Sequence, residues 1–329
     1  MKKVSVIGAG SWGTALACLL ADKGLEVSLW VYEADLIDEI LNKRVNSKYL
    51  PDVILPQNII PSASLKDVLK DAELVLSVIP TQHTRSVFKD VVSFIPEGAY
   101  LVTASKGIEN GTLLTVSQVL KELTGRKAAA LSGPSFAKEV TIKKPTAVTV
   151  ASESEEEVNE LQKVFNTDHF RVYTNNDVLG VELGGALKNV MAIASGISDG
   201  LGLGSSARAA LITRGLAEII RLGSAMGAKE KTFSGLSGIG DLVLTCTGSL
   251  SRNYTVGTRL GRGEKLKDIV GSMSMVAEGI ATSESAYELA RKYNVDMPVV
   301  EQVYKTINED KPPKEIVRDL MSRSLKSEY

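Results

Sequence analysis

The chain has 329 residues, of which 44% are apolar and 23% charged, the balance of a globular protein of about two domains. Its net charge of −1 gives no basic surplus that would indicate nucleic acid as a partner. The two cysteines and two histidines are too few for a disulfide framework or a multi-histidine metal site. We therefore expect free thiols in a reducing compartment and no metal. The start of the chain lacks the apolar run of a signal peptide, and no apolar stretch is long enough to predict a membrane span.

Short apolar segments alternate with helix-like segments in the first half of the chain. The predicted strands cover 4–7, 27–31, 74–79, 100–104, 128–131, 147–151 and 170–173. Helices are predicted over 11–23 and from the acidic segment at 153–160 to about 165. Strands that are apolar on both faces and separated by helices are typical of a parallel sheet covered on both sides.

The pattern changes after about residue 176, where strand candidates give way to long helical segments. Helices are predicted over 177–198, 207–226 and 282–293. The first of these is apolar on nearly every side, which predicts a buried central helix. We therefore predict an α/β domain with a doubly wound, mostly parallel sheet over residues 1–177 and an all-α domain over 178–329.

A glycine-rich turn follows the first predicted strand and opens the first helix. Gly8, Gly10 and Gly13 form the pattern G-x-G-x-x-G. Such glycines permit a tight turn, a close approach to a pyrophosphate and close helix–strand packing. Glu33 lies 20 residues after Gly13, where a carboxylate would accept a hydrogen bond from the ribose 2′-hydroxyl of adenosine. The pattern predicts a Rossmann unit that binds a dinucleotide; the alternative is a Rossmann unit that has lost nucleotide binding.

Glu33 also bears on the choice of cofactor. Its carboxylate would repel a 2′-phosphate and no arginine adjoins it, which favours NAD over NADP. Lys43, Arg44 and Lys48 lie further along the chain and could still reach a phosphate, so NADP stays open.

Two lysines are candidates for catalysis. Lys106 follows the strand predicted at 100–104, and ligands bind at the carboxyl ends of strands in such sheets. Lys188 and Asn189 interrupt the buried helix. A general base needs its pKa lowered from ~10.4 to ~7–8, which desolvation and a second lysine can supply. The alternatives are a surface lysine at 106 and a snorkelling lysine at 188.

A third polar segment begins at Asp241, which follows a small-residue turn and could instead cap a helix. Ser251, Arg252 and Asn253 offer a hydroxyl, a guanidinium fork and an amide, a set suited to a phosphate. The alternative is a solvated loop.

Seven segments together resemble the soluble NAD(P)-dependent glycerol-3-phosphate dehydrogenases. They occur in the family's order over nearly the whole chain, at 8–17, 105–107, 132–137, 184–190, 240–246, 251–253 and 276–279. The G-G-A-L-K-N and G-D-L-V-L-T-C runs are specific, whereas the glycine pattern alone is not. The segment Val31-Tyr32-Glu33 is closer to the eukaryotic pattern than to the basic residues of many bacterial members.

The resemblance implies a role for each matching residue. Lys188 would be the proton acceptor, and Lys106 would contact both cofactor and substrate. The substrate would also contact Gly133, Ser135, Asp241, Ser251, Arg252 and Asn253. The cofactor would contact Gly8, Gly10, Ser11, Trp12, Gly13, Tyr32, Glu33, Tyr49, Lys106, Ala137, Arg252, Val276 and Glu278. The family is cytoplasmic, often dimeric, and supplies glycerol phosphate for phospholipid synthesis.

The implied reaction interconverts sn-glycerol 3-phosphate and dihydroxyacetone phosphate by hydride transfer to or from NAD(P). Another Rossmann-plus-helical dehydrogenase, of the β-hydroxyacid or 6-phosphogluconate kind, is the nearest alternative. A dinucleotide sensor without turnover is a second alternative, although it would not need a buried lysine. A methyltransferase fits less well, because the third glycine and Glu33 suit a dinucleotide.

Overall fold

In the computed structural model, which describes residues 1–325 and 327, the first half of the chain forms one eight-stranded sheet. The order is β3-β2-β1-β4-β5-β6-β7-β8. Neighbouring strands are parallel except β6 and β7, which pair antiparallel. The strands are β1 (Lys3–Ile7), β2 (Glu26–Trp30), β3 (Ile59–Ser62), β4 (Leu74–Ser77), β5 (Tyr100–Thr103), β6 (Ala129–Ser132), β7 (Thr146–Ala151) and β8 (Phe170–Asn175).

Helices cover both faces of this sheet, and each face has its own apolar cluster. The order of the first six strands is that of a doubly wound dinucleotide-binding sheet. The helices are α1 (Ser11–Asp22), α2 (Ala34–Lys43), α3 (Leu65–Leu69), α4 (Thr84–Lys89), α5 (Val116–Thr124), α6 (Ala137–Thr141) and α7 (Glu155–Phe165). The predicted α/β fold with a mostly parallel sheet is confirmed.

The second half of the described chain is helical and packs around one long helix. That helix, α8 (Val178–Gly200), is buried over most of its length and contacts α9, α11, α12 and α14. The elements that follow it are α9 (Gly204–Ala225), α10 (Glu230–Phe233), a π-helical turn (Leu236–Gly240), α11 (Asp241–Thr247), α12 (Arg252–Gly261), α13 (Leu266–Gly271), α14 (Glu278–Lys292), α15 (Pro298–Asn308) and α16 (Pro313–Met321). The predicted all-α second half, with a buried central helix, is confirmed.

Helix α8 is also long and apolar enough to cross a membrane by length and composition alone. However, 89% of its most apolar 18-residue window is buried inside the protein. Its packing is that of a core helix, because glycines on one face let α12 approach closely. A Cβ at Gly196 would lie 2.2 Å from the carbonyl oxygen of Tyr254.

The predicted strands and helices all occur, with ends shifted by a few residues. Strand β3 was not predicted, nor were α2 to α6, α10 to α13, α15 and α16. Strand β3 has only four residues and contains Pro61, which cannot donate to a sheet ladder and is tolerated here because β3 is an edge strand. Helix α2 is amphipathic, with Leu36 and Ile40 buried against the sheet and its other face polar.

A buried carboxylate joins the helical half to the sheet half. Glu182 of α8 accepts hydrogen bonds from the Ser117 backbone N–H at 2.8 Å and from the Thr115 hydroxyl at 2.8 Å. These two donors lie at the start of α5, where a carboxylate also complements the helix dipole. Burial raises the pKa of Glu182 above its usual value, against those hydrogen bonds. This contact holds the first turns of α8 against the start of α5.

Candidate active site

The glycine-rich turn at the end of β1 has the backbone shape that a pyrophosphate needs. Gly8 has φ +119°, and a Cβ there would lie 2.8 Å from the carbonyl oxygen of Val78. A Cβ at Gly13 would lie 1.9 Å from the carbonyl oxygen of Gly8, so this glycine is required for close helix–strand packing. A Cβ at Gly10 would meet no atom within 4 Å. The turn therefore leaves open space in front of the α1 N-terminus, whose N–H groups attract phosphate.

Side chains from the segment after α2 hold this turn in place. The amide nitrogen of Asn46, fully buried, donates to the carbonyl oxygen of Ala9 at 2.8 Å and to the Thr14 hydroxyl at 2.9 Å. The Ser11 hydroxyl donates to the carbonyl oxygen of Tyr49 at 2.8 Å. The sequence analysis missed Asn46, although a lone asparagine in a connecting segment gives no local signal for this role.

Glu33 lies just beyond the end of β2, at the N-cap position of α2. Its carboxylate accepts a hydrogen bond from Lys48 Nζ at 2.9 Å and another from the Tyr49 hydroxyl. Burial opposes its ionisation, but the bonds from Tyr49 and Lys48 outweigh burial and hold the pKa of Glu33 below its usual value. Tyr32 is 80% exposed, and its ring packs edge-on against that of Trp30, with 6.1 Å between the ring centroids. Glu33, Lys48 and Tyr49 form a hydrogen-bonded group, the Glu33 recess, just beyond the end of β2.

The other end of the cleft holds three charged groups in contact. Lys188 Nζ lies 2.5 Å from Asp241 Oδ1 and donates to the Thr245 hydroxyl at 2.8 Å. Lys106 Nζ donates to Asp241 Oδ2 at 2.8 Å and to the carbonyl oxygen of Gly133 at 2.9 Å. Each oxygen of the Asp241 carboxylate thus contacts a different lysine. The predicted neighbours Lys106 and Lys188 do line one cleft.

Burial decides the charge balance of this cluster. The side chains of Lys188 and Asp241 are only 8% and 1% exposed. Desolvation, with a smaller contribution from the positive charge of Lys106, lowers the pKa of Lys188 to about 8, while Asp241 acts in the opposite direction. A lysine with that pKa can lose and regain a proton near neutral pH. The cluster is therefore suited to acid–base chemistry at a substrate oxygen.

Thr245 completes the cluster and was not assigned a role from sequence. It lies one helical turn after Asp241 in α11, and its hydroxyl bonds back to the carbonyl oxygen of Asp241 at 2.6 Å. The spacing of four residues places both side chains on one face of the helix. That spacing is the signal that would have identified it.

Two asparagines connect the lysine cluster to the helices around it. The Asn189 amide donates to the carbonyl oxygen of Lys106 at 3.1 Å, and Asn253 donates to the Asn189 side-chain oxygen at 2.9 Å. The Asn253 oxygen in turn accepts from the Gly279 N–H at 2.9 Å. Each amide NH₂ has two hydrogens, so Asn253 keeps one donor for a ligand.

Arg252 is the first residue of α12, and its guanidinium interacts electrostatically with the Glu278 carboxylate. The Ser251 hydroxyl oxygen caps α12 by accepting from the Tyr254 N–H at 3.2 Å, which leaves its hydrogen available. Gly133 has φ +142°, and the Ser135 hydroxyl donates to its carbonyl oxygen at 3.0 Å. Hydrogen bonds thus connect Asn253, through Asn189, to Lys106, which in turn contacts Gly133 and Asp241.

The remaining cofactor candidates lie between these two ends. Glu278 at the start of α14 accepts from the Thr81 N–H at 3.2 Å, and burial raises its pKa to about 7 despite that bond and nearby Arg252. Val276 is 51% exposed just before it. Trp12 Nε1 is buried without a hydrogen-bond partner in the described chain, and Lys106 Nζ lies 6.0 Å from its ring. Ala137 begins α6, which packs against α1. An unpartnered donor beside an open turn fits a bound dinucleotide.

Two family models together match nearly the whole chain. Residues 3–158 match the family model of the NAD-dependent glycerol-3-phosphate dehydrogenase N-terminus, and residues 177–318 match that of its C-terminus. The chain belongs to the NAD-dependent glycerol-3-phosphate dehydrogenase family. This confirms the resemblance from sequence and the prediction of an oxidoreductase that uses NAD or NADP.

Individual relatives match over their full length. The glycerol-3-phosphate dehydrogenase NAD(P)+ of Citrifermentans bemidjiense is 54% identical over 331 residues, and the alignment covers 99% of each chain. The enzyme of the same name from Geobacter sulfurreducens is also 54% identical, with 99% of each chain covered. The crystal structure of glycerol-3-phosphate dehydrogenase from Coxiella burnetii superimposes with a TM-score of 0.95 at 41% identity, covering 98% of this chain and 99% of that one.

Proposed function

We propose that the chain interconverts sn-glycerol 3-phosphate and dihydroxyacetone phosphate with NAD or NADP, and that Lys188 is the proton acceptor. The observation that carries the proposal is the lysine itself: it is buried, its pKa is lowered to about 8, and it shares Asp241 with Lys106. Few structural reasons exist to bury a lysine, since the charged form is costly in an apolar interior. A base at a substrate hydroxyl needs a group of this kind.

The proton chemistry follows from the charge states of the two lysines. A bound nicotinamide would supply the hydride chemistry at C2 of the substrate, and the residues of the chain handle the proton. In its neutral form, Lys188 takes the proton of the C2 hydroxyl, and in the reverse direction its protonated form returns that proton. Lys106 stabilises negative charge that grows on the C2 oxygen. Asp241 orients both amines from the opposite side.

The substrate phosphate binds to the side chains of Arg252 and Asn253. A guanidinium fork binds phosphate in a bidentate way, and the free Asn253 donor adds direction. The further substrate contacts in this proposal are Lys106, Gly133, Ser135, Asp241 and Ser251. Asp241 serves the hydroxyl end of the substrate, because its carboxylate would repel the phosphate.

The residues that would hold the cofactor run from the recess at Glu33 to the lysine cluster. The open turn at Gly10 and the N-terminus of α1 would hold its pyrophosphate. The further contacts are Gly8, Ser11, Trp12, Gly13, Tyr32, Glu33, Tyr49, Lys106, Ala137, Arg252, Val276 and Glu278. We propose that NAD is preferred over NADP, because Glu33 is ionised in the ribose recess.

Four broader features belong to the same proposal. The chain divides into a dinucleotide-binding domain over 1–177 and a substrate domain over 178–329, supported by the short turn between β8 and α8. It acts in the cytoplasm, as its two free, buried cysteines suit a reducing compartment. It forms a homodimer and supplies glycerol phosphate for phospholipid synthesis, as the family resemblance implies. Light scattering of the purified protein tests the dimer.

The direct test measures initial rates of NADH and NADPH oxidation with dihydroxyacetone phosphate at neutral pH. We expect rapid turnover, and a larger kcat/KM with NADH than with NADPH. Absence of turnover with either cofactor, from protein that binds NADH, would reject the proposed reaction. Equal or better use of NADPH would reject only the preference.

A further inference from the structure

The carboxylate that recognises the adenosine ribose is not free but already paired with a lysine. Lys48 Nζ lies 2.9 Å from Glu33 Oε1, and the Tyr49 hydroxyl donates to the same oxygen. The Lys48 side chain is 41% exposed, whereas that of Glu33 is only 22% exposed. The lysine therefore sits at the outer side of the pair, where it can swing without disturbing buried atoms.

The two other basic residues considered for a 2′-phosphate, Lys43 and Arg44, are either too far from Glu33 or bonded to other groups. The Arg44 guanidinium donates to the carbonyl oxygens of Pro56 and Ile59, the latter at 3.0 Å. It thereby holds the segment that leads into β3. Lys43 is the last residue of α2, whereas Glu33 precedes its first residue. Ten residues of helix separate them by about 15 Å. Among the residues that the structure describes, Lys48 is thus the cation in place at the ribose.

The charge balance of the pair has a direct consequence for a cofactor that carries a 2′-phosphate. Such a phosphate bears about −1.5 to −2 charges at neutral pH. Glu33 alone would repel this phosphate, whereas Glu33 and Lys48 together carry no net charge. The N-terminus of α2 adds a favourable partial charge, since the Glu33 side chain does not cap it.

We propose that Lys48 is the residue that admits NADP: it stays on Glu33 when the ribose 2′-hydroxyl is free and moves to the 2′-phosphate when one is present. This inference rests on the proposed dinucleotide site. Glu33 and Lys48 act together, so that one recess accepts a hydroxyl or a phosphate. The pair sets the ratio of the two cofactors and leaves the lysine cluster at the far end of the cleft untouched.

The test compares Lys48→Met with the matched variant Lys43→Met, which removes a similar exposed lysine at the far end of α2. Dissociation constants for NADH and NADPH are measured by fluorescence titration, and kcat/KM for each with dihydroxyacetone phosphate. We expect Lys48→Met to weaken NADPH binding about tenfold or more, the loss of one charge-assisted contact, and NADH binding less than about twofold. Lys43→Met should change neither dissociation constant, and its kcat should stay that of the parent enzyme.

Equal weakening of both cofactors by Lys48→Met would overturn the proposal, because it would make Lys48 a general support of the recess. No change in NADPH binding would overturn it as well. Glu33→Gln provides the opposite arm and should strengthen NADPH binding, since the repelling charge is gone while Lys48 stays. Because binding is measured without turnover, a failure of the proposed reaction would show as missing rates and leave the binding ratios readable.

Discussion

The two ends of the cleft contain the same pairing of lysine with carboxylate, yet the lysines respond in opposite ways. At the proposed ribose end the hydrogen bonds to Glu33 and Tyr49 raise the pKa of Lys48, an exposed side chain. At the proposed catalytic end desolvation lowers the pKa of Lys188 to about 8, although Asp241 is just as close. The difference shows that burial, and not the presence of a carboxylate partner, decides whether a lysine keeps its charge or can act as a base.

The largest expected effect on activity follows from removing the buried lysine. Lys188→Met should lower kcat about 1,000-fold, the usual contribution of a positioned general acid–base group, because no neighbouring group replaces the base. NADH binding, measured by fluorescence titration, should stay within about twofold. Lys267→Met, at an exposed position on α13, is the matched control and should leave kcat unchanged. Parallel loss of kcat, NADH binding and thermal stability in Lys188→Met would indicate misfolding and remove the assigned role.

A second prediction concerns the turn between the two ends. Gly10→Ala should weaken NADH binding about tenfold or more, because the added methyl enters the space proposed for the pyrophosphate. The melting temperature should not change, since no protein atom lies within 4 Å of that Cβ. Gly98→Ala is the matched control, with equally open surroundings before β5. Unchanged NADH affinity in Gly10→Ala would place the cofactor elsewhere.

A third prediction separates the two charges that act on Lys188. Asp241→Asn removes the charge that raises the pKa of Lys188, so the pH profile of glycerol 3-phosphate oxidation should move to lower pH. Lys106→Met removes a charge that lowers this pKa, so its profile should move to higher pH. Both variants lose rate, but the opposite directions are diagnostic. Shifts in the same direction would show that the profile reports another group.

A fourth and smaller effect involves a buried carboxylate that has no lysine. Glu182→Gln keeps the shape of the side chain but turns an amide NH₂ towards donors at Thr115 and Ser117. The free energy of unfolding, from urea titration, should fall by about 1–3 kcal/mol, the cost of leaving a buried donor unsatisfied. The kcat should change little. A large fall in kcat at constant stability would mean that Glu182 acts on the cleft instead of on the junction between the halves.

Much of the fold was predictable, because buried strands and helices show as local runs of apolar residues in the sequence. The apolar runs that became β1, β4 and β5, and the uniformly apolar helix α8, are recognisable without a structure. Strand β3 was not, since its four residues include a proline and its partner β2 lies 29 residues earlier in the chain. The antiparallel pairing of β7 with β6 likewise depends on tertiary contacts that no local pattern records.

The sequence singled out the two lysines of the candidate site but not the contacts between them. Lys188 stood out as a lysine in a buried helix, and Lys106 as a lysine at a strand end. Asp241 lies between the two lysines, yet it is 53 positions from Lys188 in the sequence and further from Lys106. Their contact depends on how α11 packs against α8. The pairing of Glu33 with Lys48 was equally hidden, because Lys43, Arg44 and Lys48 look equivalent in sequence and only the fold separates them.

The measurement that tests the central claim most directly is the pH dependence of kcat/KM for glycerol 3-phosphate oxidation with NAD. This profile reports the essential groups of the free enzyme. A lysine whose pKa lies below its usual value is neutral above that pKa, so the rate should rise with pH and level off above a midpoint near 8. The rise should vanish from the residual activity of Lys188→Met. The same midpoint in Lys188→Met as in the parent enzyme would contradict the account, because the titrating base would then be another group.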